Sequence, residues 1–213
     1  MRLFQYWDTG EPPDDVAAWI EGFRSMNPEM QHALYDRDRA SWFIGKYVGE
    51  RERRAFDELL VPSMQADYFR ACAVFAKGGA YLDADSIPGE PLASLYSRAA
   101  HSLVMIWSDD LQPGVLMFRE RGDALLKAWL DRMTVSIEKR QPGNASEVTG
   151  PIALTSIYSA ALERDLGPIS AAARRLTTIP WSEAARWIGV SSGAYKEGPR
   201  HWMNWIGPVY AGA

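Results

Sequence analysis

The sequence predicts an α/β fold with a mainly parallel sheet in a single domain, and three observations carry that expectation. Short apolar runs alternate with amphipathic helical segments along the chain, as strands and their covering helices do in such sheets. The 213 residues are 47% hydrophobic, enough to bury one core without disulfide or structural metal. No internal repeat, low-complexity tract or linker interrupts the alternation.

The elements follow in order. Arg2 to Trp7 is an apolar and aromatic run closed by Asp8-Thr9-Gly10-Glu11-Pro12-Pro13, a strand followed by a loop. Pro13, Asp14 and Asp15 suit the first turn of a helix, and Val16, Trp19, Ile20 and Phe23 supply its apolar stripe until Asn27-Pro28 ends it. Met30 to Tyr35 reads as the second strand. Two charged helical stretches follow, one from Asp36 and one over Arg51 to Leu60. From Pro62 to Lys77 the residues Met64, Tyr68, Ala71, Val74 and Phe75 recur at helical spacing, and Gly78-Gly79 stops the helix. Ala80-Tyr81-Leu82 is a short strand running into Asp83-Ala84-Asp85. Ser102 to Trp107 and Val115 to Phe118 are further strands, with a helix over Asp123 to Glu138 behind them. Arg140 to Ser146 is loop, Gly150-Pro151 opens a helix through Leu162, and Leu176 to Ile179 is the last strand.

Charge and composition exclude several functions. The chain carries 23 basic and 27 acidic side chains, a net charge of −4, and so lacks the basic excess of a nucleic-acid binder. Cys72 is the single cysteine, and its place beside Val74 and Phe75 predicts a buried, inert thiol. The N-terminus meets Asp8 before any long apolar run, and no segment approaches a membrane span in length. A cytoplasmic protein is expected. His32 and His101 lack acids at metal-ligand spacing and read as packing or surface histidines.

The chemistry gathers in Asp67, Arg70, Gly78, Gly79, Tyr81, Asp83 and Asp85. Asp67 and Arg70 lie three apart on one helix face, so both can point at one ligand. Strand alternation places Tyr81 and Asp83 on the same side, with Asp85 two residues further on. Asp-x-Asp alone is a weak signal. Two carboxylates at a strand end nevertheless suit magnesium or manganese, which takes one or two carboxylates and completes its shell with phosphate oxygens and water.

The runs Ala66-Asp67-Tyr68-Phe69-Arg70 and Gly78-Gly79-Ala80-Tyr81-Leu82-Asp83-Ala84-Asp85 resemble the signature of the DXD-containing sugar-transferase family. That family includes initiating mannosyltransferases, capsular-polysaccharide transferases and, distantly, clostridial glucosylating toxins. Trp7, Pro12-Pro13 and Asn27-Pro28 are similar to its N-terminal features, and the resemblance covers residues 2 to 92. It implies a GT-A-type, Rossmann-like fold over residues 1–213, a nucleoside-diphosphate-sugar donor with UDP favoured, and bound Mn2+ or Mg2+. By position, Trp7 and the backbone of Gln5 and Tyr6 would hold the base, with Tyr81 shaping the pocket. Asp67 and Arg70 would grip the donor sugar, Asp83 would contact ribose or sugar hydroxyls, and Asp85 would bind the metal. His201 and Trp205 would complete the metal and diphosphate site from a closing tail over 193–213. Thr149-Gly150-Pro151 resembles a family turn near the acceptor, and Asp109 and Asp110 are weaker candidates for contacts there. Asn204 stands where the family has Ser, and Gln112-Pro113-Gly114 where many relatives carry Asn.

The implied reaction is sugar transfer to a hydroxyl, usually with retained configuration. The acceptor would be a glycan or lipid-linked glycan of bacterial polysaccharide synthesis, compatible with peripheral contact at the inner membrane. An inactive nucleotide-sugar-binding module and a nucleotide-sugar hydrolase are the alternatives, and oligomeric state is left open.

Overall fold

The computed structural model describes residues 1–198 and 201–212. In chain order its elements are β1 (Arg2–Tyr6), α1 (Asp14–Met26), β2 (Gln31–Tyr35), α2 (Arg37–Tyr47), α3 (Glu50–Glu58), α4 (Pro62–Lys77) and β3 (Gly79–Leu82). There follow β4 (Ser86–Pro88), α5 (Leu92–Arg98), β5 (Ser102–Trp107), β6 (Asp110–Phe118), α6 (Ala124–Glu138), α7 (Ala145–Val148) and α8 (Pro151–Glu163). The chain closes with α9 (Pro168–Arg175), β7 (Leu176–Pro180), α10 (Trp181–Ala184), β8 (Ile188–Val190) and two 3-10 turns at Ala194–Glu197 and Trp202–Asn204.

Six strands form one sheet in the order β2-β1-β3-β6-β5-β7, and β4 pairs with β8 in a small ribbon. The β1–β2, β1–β3 and β5–β7 pairs are parallel, whereas β6 is antiparallel to both its neighbours. Only β6 therefore runs against the rest, and the expected mainly parallel sheet is what forms.

Alternation along the strands divides the core in two. Phe4, Tyr6, Tyr81, Val104, Leu116 and Phe118 face a large cluster built with α2, α3, α4 and α6. Leu3, Ala80, Leu82, Leu103, Val115 and Met117 face the other side, against Phe23, Leu95 and Trp187. Trp129, Tyr68 and Phe69 are fully buried in the first layer, where each such side chain contributes about 1.5–3 kcal/mol. Cys72 is buried there too, and burial pushes its thiol well above the ordinary range, in keeping with an inert packing role.

Local signals fix the ends. The Asp36 side chain caps α2 by accepting from the Arg39 amide, and Asp123 caps α6 by accepting from Leu125 and Leu126. The Asn144-Ala145-Ser146 segment, expected as loop, starts α7, with Asn144 and Glu147 forming a capping box. Gly78 ends α4 at φ +63°, and Gly79 follows at φ +104°, where a Cβ would lie 2.6 Å from the Arg2 carbonyl oxygen. That pair lets the chain turn from helix directly into β3, between β1 and β6.

The strand expected at Val115 begins earlier, at Asp110, because Pro113-Gly114 forms a bulge instead of a strand end. Val104 pairs with Leu116 and Met105 with Gln112, so the register jumps at this point. The bulge turns Gly114 toward β3, and the Asp83 amide donates to its carbonyl oxygen at 3.0 Å.

Candidate active site

The carboxyl ends of β1 and β3 open onto a cleft of about 930 Å³, the place where ligands sit in such sheets. Trp7 enters it from the end of β1, Asp83 and Asp85 from the end of β3, and Asp67 and Arg70 from α4.

Arg70 is the hub. Its side chain is 7% exposed, its Nη2 donates to Asp83 Oδ1 at 2.7 Å, and its Nη1 lies 3.1 Å from Asp67 Oδ1. The guanidinium sits over the Tyr81 ring, 4.8 Å from its centroid, and the Tyr81 hydroxyl donates to Asp83 Oδ1 at 3.3 Å. Thr149 donates its hydroxyl to Asp67 Oδ2 at 2.9 Å. A buried charge is retained only when paired and hydrogen-bonded, and here one cation bridges two acids. Burial opposes the charge on Arg70, yet Asp83, Tyr81 and Asp67 outweigh it and keep the group protonated.

The two acids feel burial first. It raises Asp67 against the opposing pull of Arg70 and the Thr149 hydrogen bond. Asp83 is raised to about 6 by burial, with Arg70 opposing and Asp85 and Asp67 adding repulsion. The Asp83 side chain retains 36% exposure toward the cleft, so water moderates the effect.

Two glycines make room for these carboxylates. A Cβ on Gly114 would meet Asp83 Oδ2 at 2.5 Å, and one on Gly150 would meet Asp67 Oδ2 at 3.1 Å. Gly114→Ala is therefore expected to displace the Asp83 carboxylate from Arg70 and to cost about 1–3 kcal/mol of stability. Denaturant unfolding measures it, and wild-type stability would mean that the carboxylate turns aside without cost.

Gln5 and Tyr81 stand behind the cleft, buried in the sheet. Gln5 Nε2 reaches the Asp83 carbonyl oxygen at 3.4 Å, and its Oε1 lies 2.6 Å from His32 Nε2. Arg24 Nε donates to His32 Nδ1 at 3.4 Å, so the imidazole is neutral, carrying its proton on Nε2 toward Gln5. Burial, then Arg24, lowers the His32 pKa from 6.5 to about 4. Because the folded value is the depressed one, the stability His32 contributes is present above pH 6.5 and is lost as pH falls toward 4. Unfolding free energies of the wild type and His32→Gln at pH 7 and pH 5 are expected to show the larger acid loss in the wild type. Parallel losses would contradict this assignment. Asp83 and Asp67 act with opposite sign but equally in both proteins, so the comparison isolates His32.

From the tail, Tyr195, Lys196 and His201 line the cleft. Tyr195 donates its hydroxyl to Asp85 Oδ2, and Lys196 Nζ lies 3.3 Å from the same oxygen. The Tyr195 ring meets Trp7 edge-on at 5.4 Å, and the His201 ring lies 6.4 Å from Tyr195. Burial and Lys196 together lower the His201 pKa, favouring a neutral imidazole. The chain then leaves the cleft. Leu60 donates to the Val209 carbonyl at 2.9 Å, Ala211 to Glu58 at 2.8 Å, and Tyr210 is buried. Trp205 goes with this second part, packed on the first core layer with its Nε1 donating to Pro208 at 3.2 Å. The fold thus brings Trp7, Asp67, Arg70, Asp83, Asp85 and His201 together and leaves Trp205 outside the cleft lining.

Thr149, Gly114, Tyr195 and Lys196 complete the site: the sequence places the first two in turns and the others in the tail, whereas their contacts with Asp67, Asp83 and Asp85 emerge from the fold. Among the described residues no three His, Cys, Asp or Glu side chains converge on a cation cage. Asp85 and His201 both line the cleft; Asp85 Oδ2 meets Tyr195 and Lys196, and Asp83 Oδ1 meets Arg70 and Tyr81. Such a donor set fits a cation that shares a ligand's own oxygens, as magnesium and manganese do with phosphates.

Residues 13–105 match the family described as a glycosyltransferase sugar-binding region containing a DXD motif. The initiation-specific alpha-1,6-mannosyltransferase of Schizosaccharomyces pombe is 28% identical over 88 residues, 38% of this chain and 22% of that protein. The chain thus aligns with about a fifth of this relative's length. Among solved structures, the PaToxG glycosyltransferase has a TM-score of 0.59 at 12% identity, covering 98% of this chain and 87% of that one. The UDP-bound glycosyltransferase domain of the YGT toxin has a TM-score of 0.53 at 9% identity, covering 89% and 82%. These likenesses show a shared fold, the GT-A-type architecture. Residues 13–105 of this protein are thus similar to a glycosyltransferase sugar-binding region containing a DXD motif, they include Asp83-Ala84-Asp85, and the chain shares the fold of these glycosyltransferase domains.

Proposed function

We propose that the protein transfers a sugar from a nucleoside-diphosphate sugar, with UDP as the favoured carrier, to a hydroxyl acceptor. The observation that carries this reading is the buried Asp67–Arg70–Asp83 network opening onto the cleft beside Asp85. A packing role does not require a cation bridging two acids at a strand end, whereas recognition of a sugar and diphosphate uses both signs of charge.

In this reading Trp7 and the backbone of Tyr6 receive the base, while Gln5, expected beside them, is buried behind the cleft. Asp67 and Arg70 hold the donor sugar, Tyr81 fixes Arg70 from below, and Asp83 accepts from ribose or sugar hydroxyls. Asp85 and His201 hold a manganese or magnesium ion, which supplies positive charge for the diphosphate. Arg70 adds a charge that needs no reorganisation when the leaving group departs. The bond between the anomeric carbon and the diphosphate oxygen breaks as the acceptor oxygen bonds to that carbon. A retaining outcome has the acceptor proton pass to a phosphate oxygen of the leaving diphosphate. The acceptor is a glycan or lipid-linked glycan of bacterial surface-polysaccharide assembly, met in the cytoplasm or at the inner membrane surface. No helix among the described residues is long and apolar enough to cross a membrane.

The test is product release from UDP-glucose, UDP-galactose, UDP-N-acetylglucosamine and GDP-mannose, with and without manganese and glycan acceptors. Manganese-dependent nucleotide release, accelerated by acceptor and giving a product of unchanged anomeric configuration, is expected. Release indifferent to acceptor would mark a hydrolase instead, and no release from any donor would overturn the reading.

A further inference from the structure

The same cleft has a second lining of different chemistry. Trp107 ends β5 and is 59% exposed, yet it is held in place, stacked on Trp181 with ring centroids 5.8 Å apart and planes at 19°. Trp181 in turn packs on the second core layer. A tight turn through Ser108, at φ +54°, leads from Trp107 into β6. Trp107 pairs in register with Asp110, so the two side chains share one sheet face, and Gln112 follows two residues on. All four residues line the cleft. Neither Asp110 nor Gln112 makes a side-chain hydrogen bond to another described residue.

We propose that Trp107, Trp181, Asp110 and Gln112 form a subsite for a pyranose ring of the acceptor. A pyranose has an apolar face of C–H bonds and an edge of hydroxyls. The C–H face, slightly positive, suits the negative face of an indole, and the edge hydroxyls need acceptors and donors alongside it. An indole platform flanked by a carboxylate and an amide offers both. An alkyl chain would use the indoles but leave Asp110 and Gln112 facing hydrocarbon, at a cost. The stacked pair also lowers the cost of binding, because the platform is already ordered. The name acceptor rests on the sugar-transfer reading above, whereas recognition of a sugar ring does not.

Saturation-transfer NMR with methyl α-mannopyranoside, methyl β-galactopyranoside, cellobiose and octyl β-glucopyranoside tests the subsite. Ring C–H protons of at least one glycoside should receive saturation. Trp107→Ala should weaken its binding at least about tenfold, while Trp107→Phe, which keeps a ring face, retains most of it. Asp110→Leu should weaken it as well, which a purely apolar contact would not. Since Trp107 is exposed, its variants should shift the thermal midpoint by no more than about 4 °C. Saturation confined to the octyl chain, no saturation of any glycoside, or wild-type binding by Trp107→Ala would overturn the proposal. UDP binding by the wild type with manganese is measured separately. Its failure beside intact glycoside binding would sink the donor reading and leave the sugar subsite standing.

Discussion

Replacing Arg70 by methionine is expected to destabilise the fold by about 2–4 kcal/mol, lowering the thermal midpoint by roughly 5–15 °C. The side chain is similar in length and apolar, so packing is largely kept, and what disappears is the charge between Asp67 and Asp83. Removing one partner from a buried ionic group typically costs about 3–5 kcal/mol because the remaining charge is stranded. Two features lower that range here. Asp83 is partly open to the cleft, and burial raises the Asp67 pKa, so protonation once Arg70 is gone relieves part of the penalty. The sign with pH follows. Without Arg70 both acids rise further above their unfolded values, so the folded state binds more protons, and the stability of Arg70→Met should decline as pH increases above about 4. Adding Asp67→Asn should recover part of the loss, a coupling readable in a double-mutant cycle. Lysine is a poor substitute, since one ammonium cannot reproduce a fork that reaches two carboxylates while sitting over the Tyr81 ring. Wild-type stability in Arg70→Met would mean that the network contributes nothing to folding.

Asp85→Asn is expected to do the opposite, removing binding while sparing the fold. Asp85 meets Tyr195 and Lys196 at the cleft mouth, and its ion pair with Lys196 is partly solvated. Losing such a pair costs about 1 kcal/mol or less. Manganese-dependent affinity for UDP should fall by about 100-fold or more, since a neutral amide neither balances a divalent cation nor replaces a carboxylate ligand. Titration calorimetry with and without manganese separates this from a general loss of nucleotide binding. Unchanged affinity would remove Asp85 from the cation's shell and shift attention to His201.

Much of this architecture was legible because it is local. Proline at the start, apolar residues at helical spacing and paired glycines at the end bracket α4 at Pro62–Lys77, and the same helix presents Asp67 and Arg70 on one face. The run into Asp83 and Asp85 needed only strand alternation. The elements that escaped are short or held from afar. β4 and β8 are three residues each and pair Ser86 with Val190, a contact no local pattern encodes. α9 has an alanine-rich face too weakly apolar to stand out, and α5 and α10 are brief turns against the second core layer. Thr149 reaches Asp67 across 82 residues and Tyr195 reaches Asp85 across 110, so their roles emerge only in three dimensions. Gly114 was concealed by its own chemistry, because Pro-Gly reads as the end of a strand, where here it is a bulge that brings the backbone against Asp83. Trp205 shows the reverse limit. Sequence neighbourhood places it near His201, yet Trp205, the residue directly after the second 3-10 turn, already packs on the first core layer.

The most direct measurement is thermal unfolding of the intact chain with UDP, GDP, CDP and TDP, each with and without manganese. A nucleotide at 100 times its dissociation constant stabilises a fold by about 2.7 kcal/mol, a rise of roughly 5–11 °C at this size. A rise with UDP that requires manganese is the predicted result. No rise with any nucleotide, in either condition, would contradict a cleft built for a nucleoside diphosphate.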